Sequence, residues 1–262
     1  MDRPVLAFVI PAILAAPTSA ARPQVMDVQL IAQTTAPKPG ETILVGLRMT
    51  PRAGWHGYWS NPGPGGLAPK IDWTAPRGVH FGPLQHPAPT LMQVMGMASY
   101  VHAGPHVLIA RMKIGAGLKV GTALPVVADV TWAACSDRLC VPGKARLSLL
   151  FKVGAGEPSE DAPVLRRALA GEPKRCADGS FIVRGREIVL RLPGGARFHG
   201  RAAQFFPDSN GYWNPLRQRV LRGRQLAISS PAIGPVPRRI TGVVSDGSAA
   251  CRLVFDRQSG RR

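Results

Sequence analysis

Sustained helical periodicity is almost missing from this 262-residue chain. Beyond the first two dozen residues, only one short window repeats apolar side chains at the spacing of a helix face. That shortage argues against helical bundles and against folds in which helices alternate with strands. No apolar run after the N-terminal segment approaches the roughly 20 residues a spanning helix needs. Aromatics are few, at 6%. Acids are scarce: 15 Asp and Glu face 33 Lys and Arg, a net charge of +18. Such an excess raises the question of nucleic acid. The arginines, however, are scattered (Arg48, Arg52, Arg77, Arg111, Arg146, Arg201, Arg217, Arg252) rather than gathered on one helix or interleaved with stacking rings. The charge better suits acidic partners or peripheral attraction to an anionic membrane surface. Nucleophile elbows, Walker loops and dinucleotide fingerprints are also missing, so no cofactor is expected. Cysteine is held to four, and those four carry most of the chemistry.

What is present begins with MDRPVLAFVIPAILAAPTSAARPQ: one Arg, an apolar run from Val5 to Ala16 broken by Pro11, then small residues at Ser19, Ala20 and Ala21. This reads as a secretory signal over residues 1–21, too short to anchor the chain. The remainder is rich in Gly (29) and Pro (26), with period-two runs between turn clusters. ETILVGLRM, HVLIARMKI, LPVVADVTW and ARLSLLFKV predict strands of a first domain over residues 24–153. FIVRGREIVLRL, AAQFFP, RQLAISS, RRITGVVS and CRLVF predict a second over residues 178–257, followed by a basic tail, 258–262. Between them, in the linker 154–177, Ser159 is placed to cap a short helix running through Ala170, with Glu160 and Asp161 in its first turn and Gly171 past its end. The expected fold is all-β: two immunoglobulin-like or Greek-key sandwiches joined by a helix-containing linker.

The four cysteines allow three pairings. In the chain-entropy model a Cys176–Cys251 bridge contributes about 4 to 5 kcal/mol, and a Cys135–Cys140 bridge only about 2 kcal/mol. The long bridge is the sensible staple. The short one lies in a bend that a hairpin already holds, which leaves a staple and a redox centre both open. Arg138, Lys144 and Arg146 favour a thiolate there, whereas Asp137 opposes it.

Three motifs together resemble one family. Trp132, Cys135, Cys140, Pro142 and Gly143 look like the signature of the N-terminal periplasmic domain of the thiol:disulfide interchange protein DsbD family, including its suppressor-of-copper-sensitivity relatives. GWHGYWSNPGPGGLAPKIDW is similar to that family's aromatic and Asn-Pro-Gly segment, with Trp55, His56, Tyr58, Trp59, Asn61, Pro62 and Gly63 in place. Phe205, Phe206 and Pro207 resemble the second β domain of longer members. The resemblance implies a periplasmic electron relay in which Cys135 and Cys140 exchange with a thioredoxin-like periplasmic domain and with oxidised proteins. It casts Cys140 as the partner-facing sulfur, Cys135 as the resolver, and Trp55, His56, Tyr58, Trp59, Trp132, Arg138 and Pro142 as supporting residues. It also implies a lid over the cysteines, drawn from TLMQVMGMASYVHAG: Met92, Met95, Gly96, Met97 and Tyr100, with Met95-Gly96 where Tyr-Gly is usual. The sequence shows neither a multispanning segment nor a Cys-x-x-Cys domain, so a separate membrane disulfide-reductase component is expected as donor.

Two other functions compete with the relay. Met92, Met95 and Met97, with His86, His102 and His106, could supply thioether and imidazole ligands suited to copper(I), making a copper-tolerance module. No second cysteine pair stands at zinc spacing, so no resident metal is expected otherwise. The third reading is a non-catalytic scaffold stapled by two disulfides.

Overall fold

The computed structural model describes residues 24–94, 96–194, 198, 202–221 and 226–258. The expected signal, Met95 and most of the basic tail lie outside the described residues. The first unit contains strands β1 (Met26–Ala32), β2 (Thr42–Pro51), β3 (Gly57–Tyr58), β4 (Lys70–Thr74), β5 (Val79–Phe81), β6 (Thr90–Val94), β7 (Met97–His102), β8 (His106–Ile114), β9 (Ala123–Cys135) and β10 (Cys140–Lys152). They form a four-stranded sheet β1-β2-β8-β5, a three-stranded sheet β10-β9-β4, and a small third sheet β3-β7-β6. The period-two pattern explains the packing. Ile43, Val45, Leu47 and Met49 alternate along β2 and are essentially fully buried, as are Leu124, Val126, Ala128 and Val130 along β9. Two apolar clusters fill the space between the larger sheets, one around Phe151 and Met112, the other around Leu108 and Trp132.

Helix α1 spans Ala162–Ala170. It packs Leu165 against Ile31, Leu44 and Ile109, so β2 is covered on both faces. A Cβ on Gly46 would lie 2.8 Å from Leu165, and the small residue lets the helix approach. Ser159 is not its N-cap: Asp161 is, without a side-chain capping bond. The Ser159 hydroxyl instead donates to the carbonyl of Ala32, and the Asp161 carboxylate pairs with Arg48. The Ser159 hydroxyl also accepts from the Asp161 amide at 3.2 Å, so it braces the residue before the helix and does not cap the first turn.

The second unit holds β11 (Lys174–Arg175), β12 (Gly179–Arg184), β13 (Glu187–Arg191), β14 (Gln204–Pro207), β15 (Arg219–Leu221), β16 (Ala227–Pro231), β17 (Arg239–Ser245) and β18 (Ala250–Arg257). They make one eight-stranded sheet in the order β14-β17-β18-β12-β13-β16-β15, with β11 also on β18. Its core gathers Phe181, Leu190, Phe205, Trp213, Ile228, Leu253 and Phe255. Cys176 is bonded to Cys251 and ties the entry of this unit to β18. The protein is all-β with immunoglobulin-like character, as the strand pattern predicts.

Candidate redox site

Strands β9 and β10 run in register for 13 residues, from Lys152 opposite Ala123 to Cys140 opposite Cys135. The two cysteines are therefore cross-strand neighbours at the turn end of a hairpin, and they are joined as a disulfide. The four-residue bend between them is held by the Ser136 amide donating to the Leu139 carbonyl at 2.8 Å. The Ser136 hydroxyl accepts from the amides of Arg138 and Leu139. Trp132 stiffens the hairpin from below. Gly143 lies opposite it in the register, and a Cβ there would fall 2.3 Å from the indole. Only glycine fits under that ring. Pro142 is tolerated because β10 is an edge strand whose amides need no second partner.

The two sulfurs occupy different environments. Cys135 is 1% exposed, whereas Cys140 is half-buried. Cys135 packs with Tyr58, Val94, Val101 and Ala133, while Met92 and Cys140 lie at the edge of that cluster. The Tyr58 hydroxyl donates to Cys135 Sγ at 3.0 Å and lies 4.0 Å from Cys140 Sγ. Burial pushes the Tyr58 phenol up, with the Ser99 hydroxyl opposing, so it stays a protonated donor at neutral pH. Its ring is seated by Gly66, where a Cβ would come within 2.4 Å of it. Two backbone bonds clip His56, two residues before Tyr58, to the cysteine: His56 N to Cys135 O at 2.9 Å, and Cys135 N to His56 O at 3.0 Å. The His56 ring is buried edge-on to Tyr58 at 5.6 Å, and burial lowers its pKa against the opposing pull of Asp137. A neutral imidazole packed in an aromatic turn is the result.

The expected site residues thus divide. His56, Tyr58, Met92 and the two cysteines are brought together. Trp55 and Trp132 belong to the sandwich core beside the hairpin, and Arg138 is exposed on the bend. The β6–β7 hairpin lies over the cysteines through Met92 and Val94; Gly96 is in its turn, and Met97 is exposed beyond it against Gly65. Tyr100 and Trp59 face elsewhere, joining Phe206 and Val243 in a buried seam between the two units. His102 and His106 lie at the opposite end of β7 from Met97, with His86 6.2 Å from His102. Among the described residues, no three His, Cys, Asp or Glu side chains form a metal site. Sequence reasoning did not single out Gly66, which seats the Tyr58 ring: it lies within the Asn-Pro-Gly segment, but its contact with that ring is made only in the fold.

The N-terminal periplasmic domain of ScsB from Proteus mirabilis is similar over 94% of this chain and 97% of its own, at 18% identity and a TM-score of 0.70, and shares the fold across both units. The reduced N-terminal domain of Neisseria meningitidis DsbD is matched over 52% of this chain and 90% of its own, at 12% identity and a TM-score of 0.30. No curated protein matches the sequence. No helix among the described residues is long and apolar enough to cross a membrane. The family model for the N-terminal part of the thiol:disulfide interchange protein DsbD covers residues 22–152, the half that holds the β9–β10 hairpin and its cysteines, and the chain belongs to that family.

Proposed function

We propose that the protein is a periplasmic thiol-disulfide relay module that cycles between dithiol and disulfide at Cys135 and Cys140. The observation that carries this reading is the asymmetry of the pair: a half-buried Cys140 beside a buried Cys135 whose sulfur accepts a hydrogen bond from Tyr58. In the reducing direction the Cys140 thiolate attacks a partner disulfide, forming a mixed disulfide and releasing one partner thiolate. Cys135 then loses its proton and attacks Cys140 Sγ. The pair closes, the second partner thiolate leaves, and two electrons have passed to the partner. The Tyr58 hydroxyl stabilises the Cys135 thiolate during the second step.

Surface chemistry supports a protein as the partner. Leu139, Met97 and Leu67 are large apolar side chains at 54%, 41% and 48% exposure. One adjoins Cys140, one ends the hairpin over the cysteines, and one follows the glycine that seats Tyr58. Arg138 and Lys144 flank them and form no ion pair among the described residues. An apolar rim with cationic flanks suits a thioredoxin-like domain with acidic groups around its cysteines. A membrane disulfide-reductase component would supply the electrons.

A redox titration in glutathione or dithiothreitol buffers, with trapped thiols located by mass spectrometry, tests the reading. Cys135–Cys140 is expected to open reversibly above roughly −300 mV while Cys176–Cys251 stays closed. Resistance of both bridges well below that value would make the short pair a staple and overturn the relay.

A further inference from the structure

The segment from His56 to Gly66 is held from two sides. On one side its backbone clips to Cys135, and Tyr58 bonds the sulfur. On the other side, the next residue in the chain enters the second unit's territory. Trp59 is fully buried, edge-on to Tyr100 at 6.3 Å and to Phe206 at 6.4 Å, while Tyr100 and Phe206 meet at 5.5 Å. Asn61 donates to the Pro207 carbonyl at 2.6 Å and exchanges hydrogen bonds with Asn210 at 3.1 and 2.8 Å. Its side-chain Oδ1 also accepts from the Gly63 amide, fixing the turn that brings Gly66 under the Tyr58 ring.

β3 is only two residues long, and its cross-strand partner is the end of β7. So short an element has little rigidity of its own. Its position is set by what grips its ends, and one grip is Phe206, Pro207 and Asn210 of the second unit. We infer that the second unit positions the redox site: Phe206 and Asn210, acting through Trp59 and Asn61, hold the Tyr58 hydroxyl on Cys135 and so set the reactivity of the Cys135–Cys140 pair. These are positioning residues. They touch neither sulfur, and the inference rests on the relay reading above.

Its test uses the full mature chain and the equilibrium constant of the pair against dithiothreitol. A phenol hydrogen bond favours a thiol or thiolate over a disulfide sulfur, so its loss disfavours the reduced form. Phe206→Ala and Asn210→Ala are each expected to shift the constant toward the disulfide by about fivefold to tenfold, the upper value corresponding to about 30 mV. In a Tyr58→Phe background, which removes the hydroxyl, neither is expected to add more than a twofold change. Ile228→Val, in the second unit's core away from the seam, loosens that unit without moving the constant. Should Phe206→Ala fail to fold, Asn210→Ala carries the test, because it removes only polar contacts. Constants unchanged in seam variants that fold, or shifts that persist at full size in the Tyr58→Phe background, would overturn the inference while leaving the relay intact. A wild-type pair that never opens would instead sink the relay itself.

Discussion

Tyr58 puts a polar hydrogen on a buried sulfur, and deleting that hydrogen is the sharpest residue-scale experiment. Tyr58→Phe keeps the ring packed on Gly66 and Val94 but leaves the Cys135 thiolate without its donor. Hydrogen bonds to charged groups contribute about 1.5–3 kcal/mol, so the resolving step is expected to slow by about tenfold or more. The mixed disulfide with a partner should then persist, and non-reducing electrophoresis after alkylation would detect it. Resolution as fast as in the parent would remove Tyr58 from the mechanism. The cysteine pair itself was legible in the sequence, because Cys-x4-Cys between two alternating runs already describes the turn of a hairpin. The hydroxyl was not: Tyr58 stands 77 residues before Cys135, and its aromatic neighbourhood reads equally well as core packing. Trp59 makes the same point, since adjacent rings were grouped as one cluster although one faces the sulfurs and the other the second unit.

At the scale of elements, the β9–β10 hairpin is the platform on which the chemistry rests, and its stiffness comes from Trp132 lying across Gly143. Gly143→Ala forces the indole aside and is expected to destabilise the protein by about 1–3 kcal/mol, as overpacking does. Arg146→Ala, which breaks an exposed pair with Asp129 on the same hairpin, is expected to change stability by less than about 1 kcal/mol. Urea unfolding of the two variants would separate the effects, and equal losses would show that the ring is not what stiffens the strand pair. Strand identity was readable throughout this region because period two survives wherever one face is buried. The start of α1 was misread for a physical reason. A serine followed by two acids looks like a capped first turn, yet Ser159 and Asp161 are drawn to Ala32 and Arg48 on the neighbouring sheet. The doubly covered β2 was also hidden, since its inward and outward residues are both apolar and the sequence does not say that a helix lies over one side.

For the whole molecule, acid should be the weak point. His86, His102 and His106 adjoin one another, His102 and His106 with ring centroids 4.5 Å apart, and each has a buried ring nitrogen without a partner. Burial comes first in lowering all three pKa values, to about 3 for His86, where the neighbouring His106 and Arg252 add to it. In the unfolded chain these imidazoles titrate near 6.5, so below that pH the unfolded state takes up protons that the folded state refuses. Stability is therefore fully present above about pH 6.5 and is lost as the pH falls below it, for His86 by about 1.4 kcal/mol per pH unit toward about 3, with His102 and His106 adding to the loss in the same direction. Glu172, whose carboxyl burial pushes up, works in the opposite sense and offsets part of the loss. Denaturant midpoints should hold from pH 7.5 to about 6.5 and fall steadily from there to pH 5, and a profile flat throughout would mean that the imidazoles are hydrated in the folded state. The net charge of +18 predicts a second molecular property: exchange with an acidic protein partner should slow as salt rises, while exchange with neutral dithiothreitol should not.

The place of β18 in the second sheet has a consequence for how the molecule is made. This strand, near the end of the chain, lies between β17 on one side and both β11 and β12 on the other. As the exported chain enters the periplasm N-terminus first, the β9–β10 hairpin and its cysteines can assemble before residues 250–257 arrive. The second unit must wait for them, with Cys176 a free thiol until Cys251 arrives. During that interval the Cys135–Cys140 pair and the free Cys176 thiol share one chain, and thiol-disulfide exchange between them is open until Cys251 arrives. Insertion of β18 ends that exposure and seats the seam behind Tyr58 in the same event, so the redox pair acquires its working environment only once residues 250–257 are in place.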